Sequence, residues 1–204
     1  MTAVPEDHYF SQRPTSASEP TAFTVTLLGR ALTFKTDAGV FSRARIDPGT
    51  RLLIESAPLP PAGRILDLGA GYGPIGIAVA KARPDLAVHL AEVNERAAEL
   101  ARENAALNGV RNVTVHVGDG FSALPQGVRF AAILTNPPYR AGKAVVYAWV
   151  DQSPEWLEPG GHLICVGQTK QGVKSLAAHM KAVFGNVREL EKGGGYRVVA
   201  STRV

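Results

Sequence analysis

A four-residue motif, Asn136-Pro137-Pro138-Tyr139, has side chains that can orient a planar amine. It follows an apolar run at residues 130–135, which predicts a buried parallel strand ending at the prolines. Because the prolines fix φ here, we expect the Asn136 carboxamide and the Pro137 carbonyl at the carboxyl edge of a sheet. Two rigid acceptors that converge there suit an exocyclic NH2 group. The alternative interpretation is an ordinary strand-ending turn.

A glycine-rich stretch lies at the first predicted strand-to-helix junction, where glycines let the backbone turn sharply and approach a ligand. Gly71, Gly73 and Gly76 match the G-x-G-x-x-G pattern of dinucleotide sites, which is a weak signal by itself. Asp67 favours a different ligand. A carboxylate two residues before Gly69 can accept bonds from a cationic amino-acid moiety, directly or through water, and would repel a pyrophosphate.

Two more acidic residues end the next two predicted strands. Glu92 lies 19 residues after Gly73 (92 minus 73) and can bind two ribose hydroxyls, a role that serves NAD equally well. Asp119 precedes Gly120 and Phe121, where its carboxylate can accept a bond from an adenine amine beside the aromatic ring. The alternative for Asp119 is a turn-forming role. Together these positions favour S-adenosylmethionine over NAD.

From residue 64 onward, alternating patterns predict an α/β fold with a doubly wound, mostly parallel sheet and helices on both faces. Ligands of such sheets bind outside the carboxyl ends of the strands. The predicted strands are 64–67, 87–92, 113–117, 130–136 and 162–166; the predicted helices are 74–83, 95–108 and 143–155, with a short element after residue 121 and a last helix from 171 to 184. Strands at 186–191 and 196–202, joined by glycines, predict a C-terminal antiparallel hairpin at the sheet edge.

The N-terminal part predicts an extension that precedes the main domain. Residues 1–20 are rich in Pro, Ser and Thr and predict an irregular arm. Two β-prone runs, 23–28 and 31–36, flank Gly29-Arg30 and predict a small β-hairpin, and Asp47 as N-cap with Pro48 at the first position predicts a short helix. We therefore expect an arm at 1–20, a hairpin and helix extension at 21–60, and the main domain at 61–204.

Composition sets further bounds. The chain has 204 residues, a net charge of +4 and one cysteine, Cys165, for which a buried, inert thiol is expected. Mild basicity permits a polyanionic partner. No apolar stretch has the length of a membrane span and no signal peptide pattern is present, so we expect a cytoplasmic protein. The histidines show no ligand spacing, and no metal is expected.

In combination, these residues make the chain resemble the class I S-adenosylmethionine-dependent methyltransferases. The order of that family's motifs is followed by Asp67 with the glycines after it, Glu92, Asp119 and the motif at 136–139. Segments at residues 37–42, 47–53, 136–143, 168–172 and 191–196 make it similar to the small-domain family related to bacterial 16S ribosomal RNA guanine-N2 methyltransferases. The chain departs from that family in two ways. Glu92 stands where Asp is commoner, and the duplicated N-terminal half of some relatives is missing.

The resemblance implies a Rossmann-like, seven-stranded sheet, S-adenosylmethionine as cofactor, and RNA as partner, in the form of ribosomal RNA or a ribosomal subunit. It implies methylation of an exocyclic base amine, most specifically guanine N2 in small-subunit RNA, with the Tyr139 ring stacked on the flipped base. The implied cofactor-binding residues are Asp67, Gly69, Ala70, Gly71, Gly73, Glu92, Val93, Asp119, Gly120 and Asn136. The implied catalytic residues are Asn136, Pro137, Pro138 and Tyr139. Three basic residues follow the carboxyl ends of the fourth and fifth predicted strands and predict an RNA-binding rim for phosphates: Arg140, Lys143 and Lys170. The alternative for each is solvated surface charge.

Three alternatives stay open at this point. The motif at 136–139 serves any planar amine or amide, so adenine N6 or a protein glutamine is a second acceptor. An NAD-dependent dehydrogenase would use the G-x-G-x-x-G match and would leave that motif unexplained. An RNA-binding module without catalysis would be expected to lack one of Asp67, Glu92 or Asn136, and the chain has all three.

Overall fold

The computed structural model describes residue 12, residues 16–42 and residues 44–204. Most of the predicted arm at 1–20 lies outside the described residues. The described strands are β1 (Thr21–Leu27), β2 (Arg30–Thr36), β3 (Arg64–Leu68), β4 (Ala87–Glu92), β5 (Val113–Val117), β6 (Phe130–Thr135), β7 (Leu157–Gln168), β8 (Arg188–Gly193) and β9 (Tyr196–Thr202). The α-helices are α1 (Pro48–Ser56), α2 (Pro74–Ala82), α3 (Glu95–Leu107), α4 (Lys143–Trp156) and α5 (Val173–Phe184).

The main sheet has seven strands in the order β5-β4-β3-β6-β7-β9-β8. Strands β3 to β7 are parallel, whereas β9 runs antiparallel to both β7 and β8. From β3 the chain first builds outward through β4 and β5, and then crosses to the other side at β6. The gap between β3 and β6 is therefore the topological switch point, where ligands of such sheets bind. The predicted doubly wound sheet with its C-terminal hairpin is confirmed.

Helices cover both faces of the sheet. Apolar residues of α1, α2 and α3 form one hydrophobic cluster with one face, and residues of α4 and α5 form a second cluster with the other. Cys165 on β7 is buried in the second cluster, as expected for an inert thiol. Strands that are covered on both sides read as continuous apolar runs, which explains why β3 and β6 were identifiable from the sequence.

The N-terminal hairpin, β1 and β2, forms a separate two-stranded sheet. Its turn consists of Leu28 and Gly29, with φ values of 48° and 71°, and not of Gly29-Arg30 as predicted. Left-handed φ at both positions is the geometry of a type I′ turn, whose twist matches that of the strands. The sequence prediction was displaced by one residue because leucine seldom adopts this conformation.

Two asparagines of α3 hold the hairpin against the main domain. The Asn104 side chain accepts a hydrogen bond from the Lys35 amide (2.7 Å) and donates one to the Lys35 carbonyl (2.9 Å). One turn later, Asn108 makes the same pair of bonds with the amide and carbonyl of Thr33, at 2.9 Å and 2.8 Å. The spacing of four residues on a helix matches two residues on a strand, since both are about 6 Å.

Helix α1 begins as predicted, with Asp47 accepting from the Thr50 amide (2.9 Å) and Pro48 in the first turn. Its buried face joins the cluster that also contains residues of α2 and of the hairpin. The extension therefore shares a core with the sheet. The domain boundary at residue 60 stays a prediction.

Strand β7 begins at Leu157, five residues before its predicted start, and a β-bulge lies opposite residues 130–132 of β6. Gly161 lets the backbone of β7 lie close to β6 at the bulge, because a Cβ there would lie 2.9 Å from the Glu158 carbonyl and 3.0 Å from the Phe130 carbonyl. Proline and glycine near the start of β7 hid this part of the strand from sequence reasoning.

Candidate active site

A cavity of about 760 Å³ opens at the carboxyl ends of β3, β4, β5, β6 and β7. Its wall also includes the start of β9, the beginning of α1 and the segment at residues 40–42. This is the position expected for a ligand at the switch point. The volume lies in the range typical of ligand pockets.

The loop between β3 and α2 forms the floor of the cavity. Gly69 and Gly71 have φ values of 73° and 58°, so both adopt a left-handed conformation that favours glycine. A Cβ on Gly69 would lie 2.9 Å from the Trp149 ring, whereas one on Gly71 would meet open space. The backbone between these glycines, including Ala70, therefore faces the cavity without side-chain obstruction.

Asp67 has no exposed surface and does not line the cavity. One carboxylate oxygen accepts a hydrogen bond from the Gly76 amide (2.8 Å), and the other has no partner among the described residues. Burial, together with the nearby Glu92 carboxylate, raises the pKa of Asp67 to about 7. A buried oxygen without a partner behind this loop leaves an acceptor that suits a cationic group, reached directly or through water.

Gly73 was predicted to bind the cofactor, and it lies outside the cavity lining. A Cβ there would approach Ile77 to 2.7 Å and Leu90 to 3.1 Å. Gly76 is similar, with Leu90 at 2.5 Å. These two glycines let α2 pack closely on β4, and the G-x-G-x-x-G match therefore reflects helix-to-sheet packing as well as ligand approach.

Glu92 lines the cavity at the end of β4, beside Val93. Its two carboxylate oxygens accept hydrogen bonds from the Gly71 amide (2.7 Å) and the Asn94 amide (2.8 Å). Burial raises the pKa of Glu92, and these backbone bonds oppose the shift. A carboxylate has about four lone-pair sites, so Glu92 can still accept a bond from a ligand.

Asp119 and Gly120 also line the cavity, and the Asp119 side chain is exposed. Phe121 was expected beside an adenine ring, and this was wrong. It is buried and stacks on Trp156, with ring centroids 5.4 Å apart. Trp149 of α4 forms the aromatic wall there, and a Cβ on Gly120 would lie 2.8 Å from its ring nitrogen.

Asn136 projects into the cavity from the end of β6. Its amide nitrogen donates to an Asp47 carboxylate oxygen (3.1 Å) and to the Thr50 hydroxyl (3.0 Å). Both N–H groups are therefore used, and the Asn136 carbonyl oxygen is left as an acceptor. The Pro137 carbonyl accepts from the Tyr139 amide (2.8 Å) across an inverse γ-turn, which fixes the direction of that carbonyl.

Tyr139, the last residue of the motif, packs against β7. Its hydroxyl donates to the Val166 carbonyl (2.9 Å), and its ring lies against the backbone of Gly167, where a Cβ would clash. Burial raises the pKa of the Tyr139 hydroxyl above its usual value, so this group stays protonated. The ring remains part of the cavity wall.

Sequence reasoning missed three further residues of the cavity wall. It treated Asp47 only as a helix cap and gave no individual role to Gln168 or Tyr196. The Tyr196 hydroxyl donates to Asp47 (3.1 Å) and accepts from the Gln168 amide nitrogen (2.8 Å). The Gly-Gly-Gly-Tyr segment was visible in the sequence, but no local pattern connects it with a residue 149 positions earlier.

The predicted RNA-binding residues are all exposed. Arg140 lines the cavity, whereas Lys143 at the start of α4 and Lys170 after β7 lie outside its lining. The described residues include no cluster of three His, Cys, Asp or Glu side chains suited to a metal ion. Among the helices of the same described part, none combines the length and the apolar character that a membrane span needs.

A family model described as the methyltransferase small domain matches residues 31–200. The chain belongs to this family. Membership confirms the predicted methyltransferase and removes the dehydrogenase alternative. The glycine loop, the acidic strand ends and the Asn-Pro-Pro-Tyr motif of the chain all meet at the cavity described above, with Asp67 and Gly73 behind it.

Two curated relatives bear on the function. The chain is 42% identical to the uncharacterized protein YbxB of Bacillus subtilis strain 168. This match spans 199 residues and covers 97% of this chain and 99% of YbxB. It is 34% identical to ribosomal RNA small subunit methyltransferase C of Pseudomonas fluorescens over 169 residues, 81% of this chain and 49% of that relative. The chain thus spans about half the length of this ribosomal RNA methyltransferase.

Among solved structures, the T. thermophilus 16S rRNA N2 methyltransferase RsmC, in complex with AdoMet and guanosine, superposes with a TM-score of 0.80 at 26% identity. The match covers 94% of this chain and 52% of RsmC. M. jannaschii TYW2 in complex with AdoMet shares the fold, with a TM-score of 0.63 at 19% identity. The predicted Rossmann-like methyltransferase fold is confirmed, and AdoMet in RsmC agrees with the predicted cofactor.

Proposed function

We propose that the protein transfers a methyl group from S-adenosylmethionine to the N2 amine of guanine in ribosomal RNA. The observation that carries this proposal is the orientation of Asn136. Both of its N–H groups are engaged by Asp47 and Thr50, so it offers only an acceptor to a ligand. Such an acceptor suits an NH2 group and repels a carbonyl. The likeness to RsmC and to a small-subunit methyltransferase supports the choice of guanine in RNA.

The donor half of the cavity fits S-adenosylmethionine in charge and shape. The open backbone between Gly69 and Gly71 can lie against the amino-acid part, with Asp67 behind it acting through water. We assign Glu92 to the ribose hydroxyls and Asp119 to the adenine amine. The Trp149 ring provides an apolar wall beside the base. When bound, the cofactor supplies a methyl group already activated on a sulfonium.

The acceptor half must improve a poor nucleophile, because an exocyclic amine shares its lone pair with the aromatic ring. The Asn136 oxygen and the second lone pair of the Pro137 carbonyl would accept its two N–H bonds. These contacts favour a more tetrahedral nitrogen directed at the methyl group, through orientation and electrostatic preorganisation. The Tyr139 ring would stack on the flipped base, which is worth about 1–3 kcal/mol. The proton leaves to solvent, and no general base is assigned.

Arg140, Lys143 and Lys170 extend from the acceptor side, after β6 and β7. We assign them to RNA phosphates. Loss of each phosphate contact is expected to weaken RNA binding at all sequences and to reduce its salt dependence.

The test is tritiated methyl transfer to RNA fractions from a strain lacking the protein, followed by nucleoside mass spectrometry. Asn136→Ala should keep S-adenosylmethionine affinity nearly unchanged and lower turnover at least a hundredfold. Asn108→Ala removes the same group outside the cavity and should retain turnover. Equal turnover of Asn136→Ala and the unaltered protein would refute the role of Asn136. A methylated adenine or protein glutamine as the product would replace guanine N2 with the corresponding acceptor.

A further inference from the structure

One carboxylate lies between two amide side chains on the acceptor side of the cavity. One Asp47 oxygen accepts from the Asn136 amide nitrogen, and its other oxygen accepts from the Tyr196 hydroxyl, both at 3.1 Å. Tyr196 in turn accepts from the Gln168 amide nitrogen at 2.8 Å. All four residues line the cavity: Asp47 is the cap of α1, Asn136 follows β6, and Gln168 and Tyr196 belong to β7 and β9.

The carboxylate fixes the direction of every hydrogen bond in this network, which we call the Asp47 network. An ionised carboxylate can only accept. Asn136 must therefore present its nitrogen to Asp47 and turn its oxygen away. Tyr196 must donate its single proton to Asp47, so its oxygen can only accept from Gln168. Gln168 then has to present its nitrogen to Tyr196, and its oxygen is directed away as well.

Neither amide oxygen receives a hydrogen bond from a residue in the described part of the chain. Asn136 and Gln168 are both partly exposed, and neither of their amide oxygens is a buried atom that lacks a partner. Both oxygens are therefore accessible to a ligand. The negative charge on Asp47 also polarises the Asn136 amide and makes its oxygen a stronger acceptor. The cavity therefore carries a pair of acceptors whose orientation is set by a single carboxylate, that of Asp47.

We propose that Asp47 is a positioning residue and Gln168 a specificity-determining residue, which together present an acceptor pair that selects guanine. This inference rests on the proposed transfer to a base amine. Guanine carries the N2 amine and the N1–H donor on the same edge, and both match the pair. Adenine and cytosine place a ring nitrogen with a lone pair beside their amine. That lone pair would face the Gln168 oxygen, leaving two acceptors without a proton between them.

The experiment compares guanosine, adenosine and cytidine as probes, with S-adenosylhomocysteine present, by saturation-transfer NMR and calorimetry. We expect the unaltered protein to prefer guanosine about ten- to a hundredfold, the discrimination that a well-placed hydrogen-bond pair provides. Gln168→Leu, which keeps the volume and lacks the acceptor, should abolish the preference. Gln152→Leu, the same change on the exposed side of α4, is the matched control.

Tyr196→Phe tests the positioning part. The ring packs on Gly49 and would stay in place, while the hydroxyl that joins Gln168 to Asp47 is lost. We expect unchanged S-adenosylhomocysteine affinity and a clear loss of guanosine preference, because the Gln168 amide can then turn. A merely structural role would lower the melting temperature without changing the ranking of the three nucleosides.

The outcomes separate this inference from the proposed function. If the unaltered protein shows no guanosine preference, including no binding of any of the three, or if Gln168→Leu keeps the preference, the acceptor pair is refuted. Methyl transfer to guanine in RNA can still be observed in that case, and the proposed function then stands. If no RNA or protein accepts the methyl group, the proposed function itself fails.

Discussion

The stability of the protein should depend strongly on Asn104, which has no exposed surface. Its side chain makes three hydrogen bonds to backbone, two with Lys35 and one to the Tyr72 carbonyl at 3.0 Å. At a net contribution of about 1 kcal/mol each, their loss in Asn104→Ala should reduce the free energy of unfolding by about 3 kcal/mol. The change leaves three backbone groups without this partner: the amide and carbonyl of Lys35 in the hairpin and the Tyr72 carbonyl in the loop before α2.

Urea unfolding followed by circular dichroism measures this difference. Asn108→Ala is the matched control, since it removes the same side chain one turn later on the same helix. Asn108 and Thr33 are partly exposed, so water can replace the lost bonds, and a loss of only about 1 kcal/mol is expected. An Asn104→Ala loss equal to or smaller than that of Asn108→Ala would refute the reasoning that burial makes these bonds important.

Three further predictions concern single groups. Because the pKa of Asp67 is raised to about 7, the folded state keeps a proton that the unfolded chain releases above about pH 4. The free energy of unfolding should therefore fall by up to about 4 kcal/mol between pH 4 and 7. In urea titrations, Asp67→Asn should flatten this dependence on pH. Burial raises the pKa of Cys165 to about 12, so a thiol reagent at pH 8 should modify it only after unfolding; rapid labelling of the native protein would contradict its burial. Tyr139→Phe should cost about 1 kcal/mol in the same unfolding assay through the lost bond to Val166 and should keep methyl transfer within a few-fold; a large drop in turnover would mean that the hydroxyl takes part.

Local sequence signals were sufficient where a residue's role depends on its neighbours in the chain. Strands β4 and β5 have their predicted bounds, and α2, α3 and α4 differ from prediction by one residue. Each of these elements is a regular run that is bounded by glycine, proline or a capping residue. The cap at Asp47 was predicted for the same reason.

The sequence could not supply contacts between distant segments. Asp47 already had an explanation as a cap, and its bonds to Asn136 and Tyr196 cross 89 and 149 residues. Trp149 lies in the predicted helix at 143–155, whose apolar pattern does not distinguish a core face from a cavity wall. Phe121 was misplaced for the opposite reason, because its position after a strand end did not reveal the ring of Trp156 behind it.

The hydrogen bonds in the two halves of the cavity join residues at very different separations along the chain. The bond from Gly71 to Glu92 spans 21 residues, whereas the bond from Tyr196 to Asp47 spans 149. During synthesis, the donor half therefore has its parts available long before β9 emerges and takes its place beside β7. A growing chain would therefore complete the contacts of the proposed donor half first and those of the proposed acceptor half last.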